Sequence, residues 1–418
     1  MRILVVARSL PCPVLDGYQL VTWNIVRELS PNCEFDLLAP DTLCAASDLE
    51  RARELFRRMV LVQAADEPRI GLGSVIRSRV SLLPSDVLRA QSVRMKETLV
   101  RMLATTTYDL VYLSAPALAW YAPAASRFAP TIVAPLDARS RQIPELARLQ
   151  RGVMRRLQCR EQALKSRWFE RRFYSFARRC IVVSKADRRV LLGLGLKVPI
   201  DVVPLGIDVE RWERVESSAT RSAHSYDLAF SGNLSYDPNL EAAQSLVADL
   251  LPAIRRQRPG TTLAVIGAHP SDGLRRAAFG DPGTILTGYV PDLAGEVARA
   301  RAFVCPVRHG SGMRVKVMEA MAAGLPVVTY PVNVEELPVT PDEHLLLAGS
   351  SEEFVRQTAR LLNDAGLRKR LGENARRLMF QSFSWRSSAL KLMESFRQGC
   401  GERREGRGLE MEESPCVG

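Results

Sequence analysis

The stretch Arg308–Ala323, RHGSGMRVKVMEAMAA, decides the reading of this 418-residue chain. An apolar run, Ala302-Phe303-Val304-Cys305-Pro306-Val307, precedes it and reads as a buried strand. Gly310-Ser311-Gly312 then supplies a small-residue turn. Met313, Val315, Val317, Met318, Ala320 and Met321 mark the apolar side of a helix that closes at Gly324, and Pro326 begins the next strand. Strand, glycine turn and helix N-terminus together make an anion cradle, because glycine lets backbone approach closely while free N–H groups and the helix dipole face the charge. Arg314, Lys316 and Glu319 fall on the first turns of that helix, and Lys316 and Glu319, three apart, share a face. A cation beside a carboxylate that can accept two hydroxyl hydrogen bonds suits a nucleoside diphosphate and its ribose. The same spacing fits an ordinary α/β turn whose glycines serve only packing.

Length and composition bound the possibilities. The chain is long enough for two or three domains, and 46% hydrophobic with 25% charged residues is the balance of an ordinary globular protein. A net charge of +12 invites an anionic partner. Nucleic acid is disfavoured, since no recognition motif accompanies the charge. The eight cysteines form no CxxC pair and several lie in apolar strands, which points to reduced, buried thiols and a cytoplasmic setting. The four histidines are far apart in sequence, so no metal site is expected. The apolar start MRILVV is too short for a signal peptide, and Leu110–Leu136, with four prolines and Arg127, reads as strand–loop–strand rather than a membrane span.

Along the chain, strands alternate with helices, which implies parallel, doubly wound sheets whose ligands bind beyond the carboxyl ends of the strands. Arg2–Ala7 reads as the first strand, and Gly17 stands before a helix near Tyr18–Leu29, as either a ligand-approach glycine or a turn glycine. Ser85–Leu103 reads as one helix and Thr131–Leu136 as a strand, with Asp137 at its end as an acceptor contact or a turn cap. Arg139–Arg179 holds 13 Lys/Arg against three Glu, with Leu157, Leu164, Trp168, Phe169, Phe173 and Phe176 at helical spacing. Such a segment can lie on an anionic membrane surface or form a solvated helix face. The polar run Glu213–Ser225 reads as a linker. Beyond it three successive strands end in glycine, at Gly232, Gly267 and Gly288, as a shared ligand-lining edge would. One helix is expected over Asn239–Ile254 and a last one over Trp385–Arg397.

The stretches SGNLSYDPN (231–239), VIGAHP (265–270), TGYVPD (287–292) and PVRHGSGMRVKVMEAMAAGLPVV (306–328), with the weaker VVSKAD and VVPLGID at 182–187 and 202–208, resemble the group 1, family 4 retaining glycosyltransferases. The resemblance covers most of 180–390; the N-terminal half shares only the strand–helix pattern and the Gly17 loop. It implies an α/β chain of GT-B type, two Rossmann-like doubly wound domains facing across a cleft. Their expected bounds are 1–195 for the acceptor domain and 196–380 for the donor domain, followed by a closing helix over 381–398 and a disordered tail over 399–418. It further implies a sugar transferred with retention from a UDP- or GDP-linked donor, without metal or other cofactor, the departing phosphate taking the acceptor's proton.

By the same resemblance Glu319 binds the ribose, while Gly232, Asn233, Gly267, His309, Gly310, Ser311, Gly312 and Met313 line the donor, and Gly288, Tyr289 and Val290 hold the base. Lys316 and Arg314, with Glu319, are the expected catalytic residues, and Gly17 and Asp137 the expected acceptor contacts. The chain departs from the family in two places. Ser311 stands where a second glutamate is usual, and 231–239 lacks the usual arginine and lysine, a charge that Arg314 and Lys316 would supply. The basic segment Arg139–Arg179 points to a lipid-linked or growing surface glycan as acceptor, at the cytoplasmic face of a membrane, with a small soluble acceptor as the alternative. The alternative is a catalytically silent subunit of the same fold that binds sugar nucleotide or glycan.

Overall fold

The computed structural model describes residues 1–14, 16–42, 44–63, 81–149, 152–217, 225–309 and 313–407. The chain divides into two compact units, Met1–Pro204 with Ser388–Gly418, and Leu205–Ser387. The first is built on a parallel seven-stranded sheet, β1 (Arg2–Val6), β2 (Glu34–Asp41), β3 (Arg58–Gln63), β4 (Leu110–Leu113), β5 (Thr131–Leu136), β6 (Arg179–Val182) and β7 (Ile200–Val202), in the order β3-β2-β1-β4-β5-β6-β7. The second is built on six parallel strands, β8 (Tyr226–Ser231), β9 (Leu263–Ile266), β10 (Thr284–Gly288), β11 (Ala300–Cys305), β12 (Val327–Thr329) and β13 (Leu346–Leu347), in the order β10-β9-β8-β11-β12-β13. Both are doubly wound, and together they are the GT-B fold.

The central strands are apolar at consecutive positions because helices cover both faces of each sheet. Ile3, Leu4 and Val5 on β1 and Leu110, Val111 and Leu113 on β4 are fully buried, as are Leu228, Ala229 and Phe230 on β8 and Phe303, Val304 and Cys305 on β11.

Several expected boundaries move. β7 pairs with β6 through Cys180↔Ile200 and Val182↔Val202, so the first unit runs past the expected edge at 195. Arg179 locks this pair by a two-pronged contact to Asp201, with distances of 2.8 and 2.9 Å. The single helix expected over Ser85–Leu103 is two, Ser85–Ala90 and Val93–Thr105, because Ser92 caps the second by accepting from the Met95 amide at 3.2 Å. The expected linker begins inside a helix, Val209–Ser217, whose Trp212 is buried, while 218–224 lie outside the described residues. The helix expected over Asn239–Ile254 runs as Asp237–Ser245, a π-turn at Leu246–Leu250, and Leu251–Gln257. Pro252 has no N–H to give, and the wider turn absorbs the loss. The last helix, Trp385–Arg407, extends past the bounds 381–398, and of the expected tail only 408–418 lie outside the described residues.

Candidate functional site

In the second sheet the strand order reverses between β8 and β11, and a ligand crevice in such sheets opens beyond the carboxyl ends of the strands at that point. β8 passes there into Gly232, and β11 leads through Pro306–His309 toward the helix Val315–Ala322. That helix delivers Lys316 to the end of β8. Its Nζ donates to Asn239 Oδ1 at 2.5 Å and lies 4.7 Å from the centroid of the Phe230 ring. A Cβ at Gly232 would stand 2.5 Å from Lys316 Nζ and 2.8 Å from Asn239 Nδ2, so glycine is what admits the ammonium group. Asn239 is itself held by donating from Nδ2 to the Asn233 carbonyl at 2.9 Å. Among the described residues no carboxylate lies within ion-pair distance of Lys316. Burial pushes its pKa down to about 8, with the charge of Arg314 adding to the effect.

The three strand-end glycines lie side by side. Gly232 donates to the Ile266 carbonyl at 2.9 Å, and Gly267 to the Gly288 carbonyl at 3.1 Å. A Cβ on Gly267 would collide with the Gly232 carbonyl oxygen. Gly288 has φ +70°, which an L side chain rarely adopts, and open space where its Cβ would be. Beside it Tyr289 is exposed and Val290 half-buried. Asn233 shapes the turn after β8 by accepting from the Ser235 amide at 3.0 Å and its hydroxyl at 2.8 Å.

Glu319, one turn beyond Lys316, makes no side-chain hydrogen bond or ion pair with a described residue. Burial pushes its carboxyl pKa up to about 7, against the opposing charges of Arg211 and then Lys316. Arg314 sits at the helix N-cap rather than in its first turn, and it is buried. Its Nε donates to Asn333 Oδ1 at 3.1 Å and its Nη2 to the His309 carbonyl at 2.9 Å. Asn333 Nδ2 in turn donates to the carbonyls of Cys305 (3.2 Å) and Val307 (2.8 Å), tying Arg314 to the end of β11. His309 is exposed, and Met313 is buried with its sulfur accepting from the Leu205 amide at 3.3 Å. Gly310, Ser311 and Gly312, the expected cradle itself, lie outside the described residues.

Gly17 and Asp137 belong to the first unit. Gly17 opens the helix Gly17–Leu29 with open space where a Cβ would stand, and Asp16 and Gln19 form a reciprocal capping box before it. Asp137 follows Leu136, whose φ of +64° turns the chain away from β5. The two sites are neighbours through Tyr18, whose hydroxyl pKa is raised first by burial and then by the charge of Asp137.

Sequence reasoning passed over Asn239, Asn333 and Arg211. Asn239 carried a signal, an amide in the first turn of a helix that buries Ala242 and Ala243. Asn333 and Arg211 carried none, since both reach the site through the fold rather than through spacing. Among the described residues no group of three or more His, Cys, Asp or Glu side chains is arranged to hold a metal ion, and no helix is long and apolar enough to cross a membrane.

Comparison with known proteins bears on this geometry. Residues 16–211 match the family described as Glycosyltransferase Family 4, and residues 225–364 the one described as Glycosyl transferases group 1. The chain belongs to the group 1, family 4 glycosyltransferases. Among curated members, D-inositol 3-phosphate glycosyltransferase of Segniliparus rotundus is 28% identical over 216 residues, covering 47% of this chain and 46% of that protein. GDP-mannose-dependent alpha-(1-6)-phosphatidylinositol monomannoside mannosyltransferase of Mycobacterium tuberculosis is 27% identical over 234 residues, covering 52% and 60%. The match thus spans about half the length of these curated glycosyltransferases. Similar folds include Anabaena HepE in complex with UDP and glucose, at 15% identity and TM-score 0.66, covering 95% of this chain and 100% of that one. Sucrose-phosphate synthase from Thermosynechococcus elongatus has TM-score 0.67 at 17% identity, covering 95% and 98%. The GT-B fold of this glycosyltransferase is shared with them.

Proposed function

We propose that this glycosyltransferase moves a sugar, with retention, from a UDP- or GDP-linked donor to a hydroxyl of a lipid-linked or growing glycan. The observation that carries the reading is Lys316 seated against Gly232 and Asn239 at the end of β8, with Glu319 one turn further on. In this reading Glu319 accepts the two ribose hydroxyls. Lys316, with no carboxylate partner among the described residues, faces the diphosphate and neutralises the charge that grows on it as the glycosidic bond breaks. Arg314 acts as a strut, holding the loop around His309 through Asn333. Gly267, Gly288, Tyr289 and Val290 border the nucleotide, and the leaving group needs no metal. The HepE complex holds UDP and glucose on the same fold, and the mycobacterial relative is GDP-mannose-dependent. Both curated names describe phosphorylated inositol acceptors, so an anionic acceptor near Gly17 and Asp137, at a cytoplasmic membrane face, fits this reading.

Calorimetric titration of UDP and GDP into wild type, Glu319→Gln and Lys316→Ala tests it. Each charge-assisted bond contributes roughly 1.5–3 kcal/mol, so affinity falls at least tenfold in Glu319→Gln. Unchanged nucleotide binding in a folded Glu319→Gln protein refutes the assignment. Ser311, where the family usually has a glutamate, favours a second reading, a subunit that binds sugar nucleotide without turnover. Release of UDP or GDP from a donor sugar in the presence of acceptor decides against that one.

A further inference from the structure

The helix Val153–Phe173 carries its apolar residues on two opposite sides. Ala163, Ser166, Phe169 and Glu170 are buried against the first unit, and Phe169 stacks on Phe173 at 4.7 Å. On the other side Val153, Leu157, Leu164 and Trp168 are 75%, 50%, 65% and 43% exposed. At about 100° per residue these four fall within roughly 60° of one another, a continuous stripe facing away from the core. Arg156, Arg160 and Arg167 line one edge of the stripe, Met154 and Arg172 the other, and Arg171 closes its C-terminal end beyond Trp168, all of them exposed. Of the helix's two acidic residues, Glu161 pairs with Lys165 at 2.6 Å and Glu170 is buried. The outward face therefore presents apolar side chains between arginines.

We infer that this face seats in the headgroup region of an anionic phospholipid bilayer, with Val153, Leu157, Leu164 and Trp168 entering the acyl boundary. A solvated face would not align four large apolar residues, and a second copy of the chain would bring like-charged arginine edges together. An anionic bilayer satisfies both parts, taking up the apolar stripe while its phosphates meet the guanidinium groups. The inference deepens the membrane-face reading above, and it assigns the contact to insertion by one helix rather than to overall charge. It is independent of the nucleotide site.

The test uses the full chain with vesicles of phosphatidylcholine alone and of phosphatidylcholine with 30% phosphatidylglycerol. Sedimentation with the anionic vesicles is expected to weaken about fivefold for each of Arg156, Arg160 and Arg167 changed to Gln. Trp23, Trp212 and Trp385 are buried and Trp120 half-buried, so Trp168 reports on the stripe. Its emission shifts to the blue on binding and is quenched by lipids brominated on the acyl chain, and both signals vanish in Trp168→Phe. Leu157→Gln with Leu164→Gln lowers vesicle binding at least tenfold while the thermal melt stays that of wild type. Equal sedimentation with both vesicle types overturns the inference. So does anionic binding without acyl-chain quenching, or a lipid-free oligomer that the Leu157→Gln, Leu164→Gln protein no longer forms. UDP titration on the same samples separates this outcome from failure of the donor site.

Discussion

Lys316 Nζ and Asn239 Oδ1 meet at 2.5 Å across the end of β8, joining two helices that lie 77 positions apart in the chain. The bond fixes where the site's half-buried cation points. Asn239 is a neutral partner, so the full positive charge remains available to an anion, as it would not beside a carboxylate. Asn239→Ala is expected to leave Lys316 free to swing. Affinity for UDP or GDP then falls several-fold, and kcat falls with it. Asn239→Asp adds a carboxylate within reach and is expected to cost more than the alanine, at least tenfold in affinity. Titration of both variants checks the order; an aspartate that binds nucleotide better than alanine shows that Lys316 does not face the diphosphate.

Gly232→Ala separates binding from folding. The added methyl meets the mobile end of Lys316 and the amide of Asn239 rather than backbone, so the side chains can give way. The stability cost is expected to stay near 1 kcal/mol, within the range of modest overpacking. Nucleotide affinity is expected to fall at least tenfold, because the ammonium group has lost its seat. Denaturant melts and calorimetry on one preparation read both quantities. A loss of stability without a loss of affinity makes Gly232 a packing glycine.

The two shifted groups at the site predict a pH profile. Nucleotide binding in the proposed mode needs Glu319 ionised and Lys316 protonated, and their pKa values lie at about 7 and about 8. Affinity should therefore be greatest between these values, falling as Glu319 takes up a proton below about 7 and as Lys316 loses one above about 8. Glu319→Gln is expected to remove the dependence on the acid side, Lys316→Met that on the alkaline side. Calorimetry from pH 5.5 to 9.5 checks each limb. An acid limb that persists unchanged in Glu319→Gln assigns it to another group.

Much of the fold was legible because central parallel strands have to be apolar on both faces. Ile3–Val6, Leu110–Leu113 and Val327–Thr329 announce themselves without alternation. The glycine-ended edge was legible too, since Gly232, Gly267 and Gly288 follow three strands that turn out to be adjacent. The allegiance of Ile200–Val202 was not, because the choice of neighbouring strand is a long-range contact. The C-terminal half of the helix Val209–Ser217 hid at the start of the expected linker Glu213–Ser225, because its polar residues follow directly on the buried Trp212. At the site, Lys316 and Glu319 could be chosen by spacing, but Asn239 and Asn333 act through contacts formed only after two separate segments pack.

Gly267 and Gly288 both end strands of the second sheet, yet they are glycine for different reasons. At Gly267 a methyl would strike the carbonyl oxygen of Gly232, backbone that cannot rotate away. Gly267→Ala is expected to cost about 1–3 kcal/mol and lower the Tm by several degrees, displacing the Gly232 turn as it does so. Gly288→Ala meets no atom and carries only the cost of φ +70°, about 1–2 kcal/mol. The discriminating measurement is nucleotide affinity in the folded variants, which drops in Gly267→Ala along with stability. If Gly288→Ala loses more affinity than Gly267→Ala, the base-contact edge matters more than the seat of Lys316.

Glu170 in the first unit gives a prediction about stability alone. It is 1% exposed; its Oε1 accepts from the Ser140 amide at 3.1 Å, and its Oε2 meets no well-aligned hydrogen-bond donor among the described residues. Burial pushes its carboxyl from 4.5 up to about 7, against hydrogen bonds from Ser140 and the charge of Arg139, which itself pairs with Asp86 at 3.2 Å. The sign follows from which state holds the proton more tightly. Between about 4.5 and 7 the folded protein keeps Glu170 protonated while the unfolded chain releases it, so stability falls as pH rises through that window and levels off above it. The full difference is about 3 kcal/mol. Glu170→Gln keeps the shape and the Ser140 contact but cannot ionise. The variant should match wild type near pH 4.5 and exceed it by pH 8, by an amount approaching that difference. Urea melts at four pH values, followed by the first unit's transition, measure the gap between the two curves. A gap that stays constant with pH would mean that Glu170 titrates alike in the folded and unfolded chain.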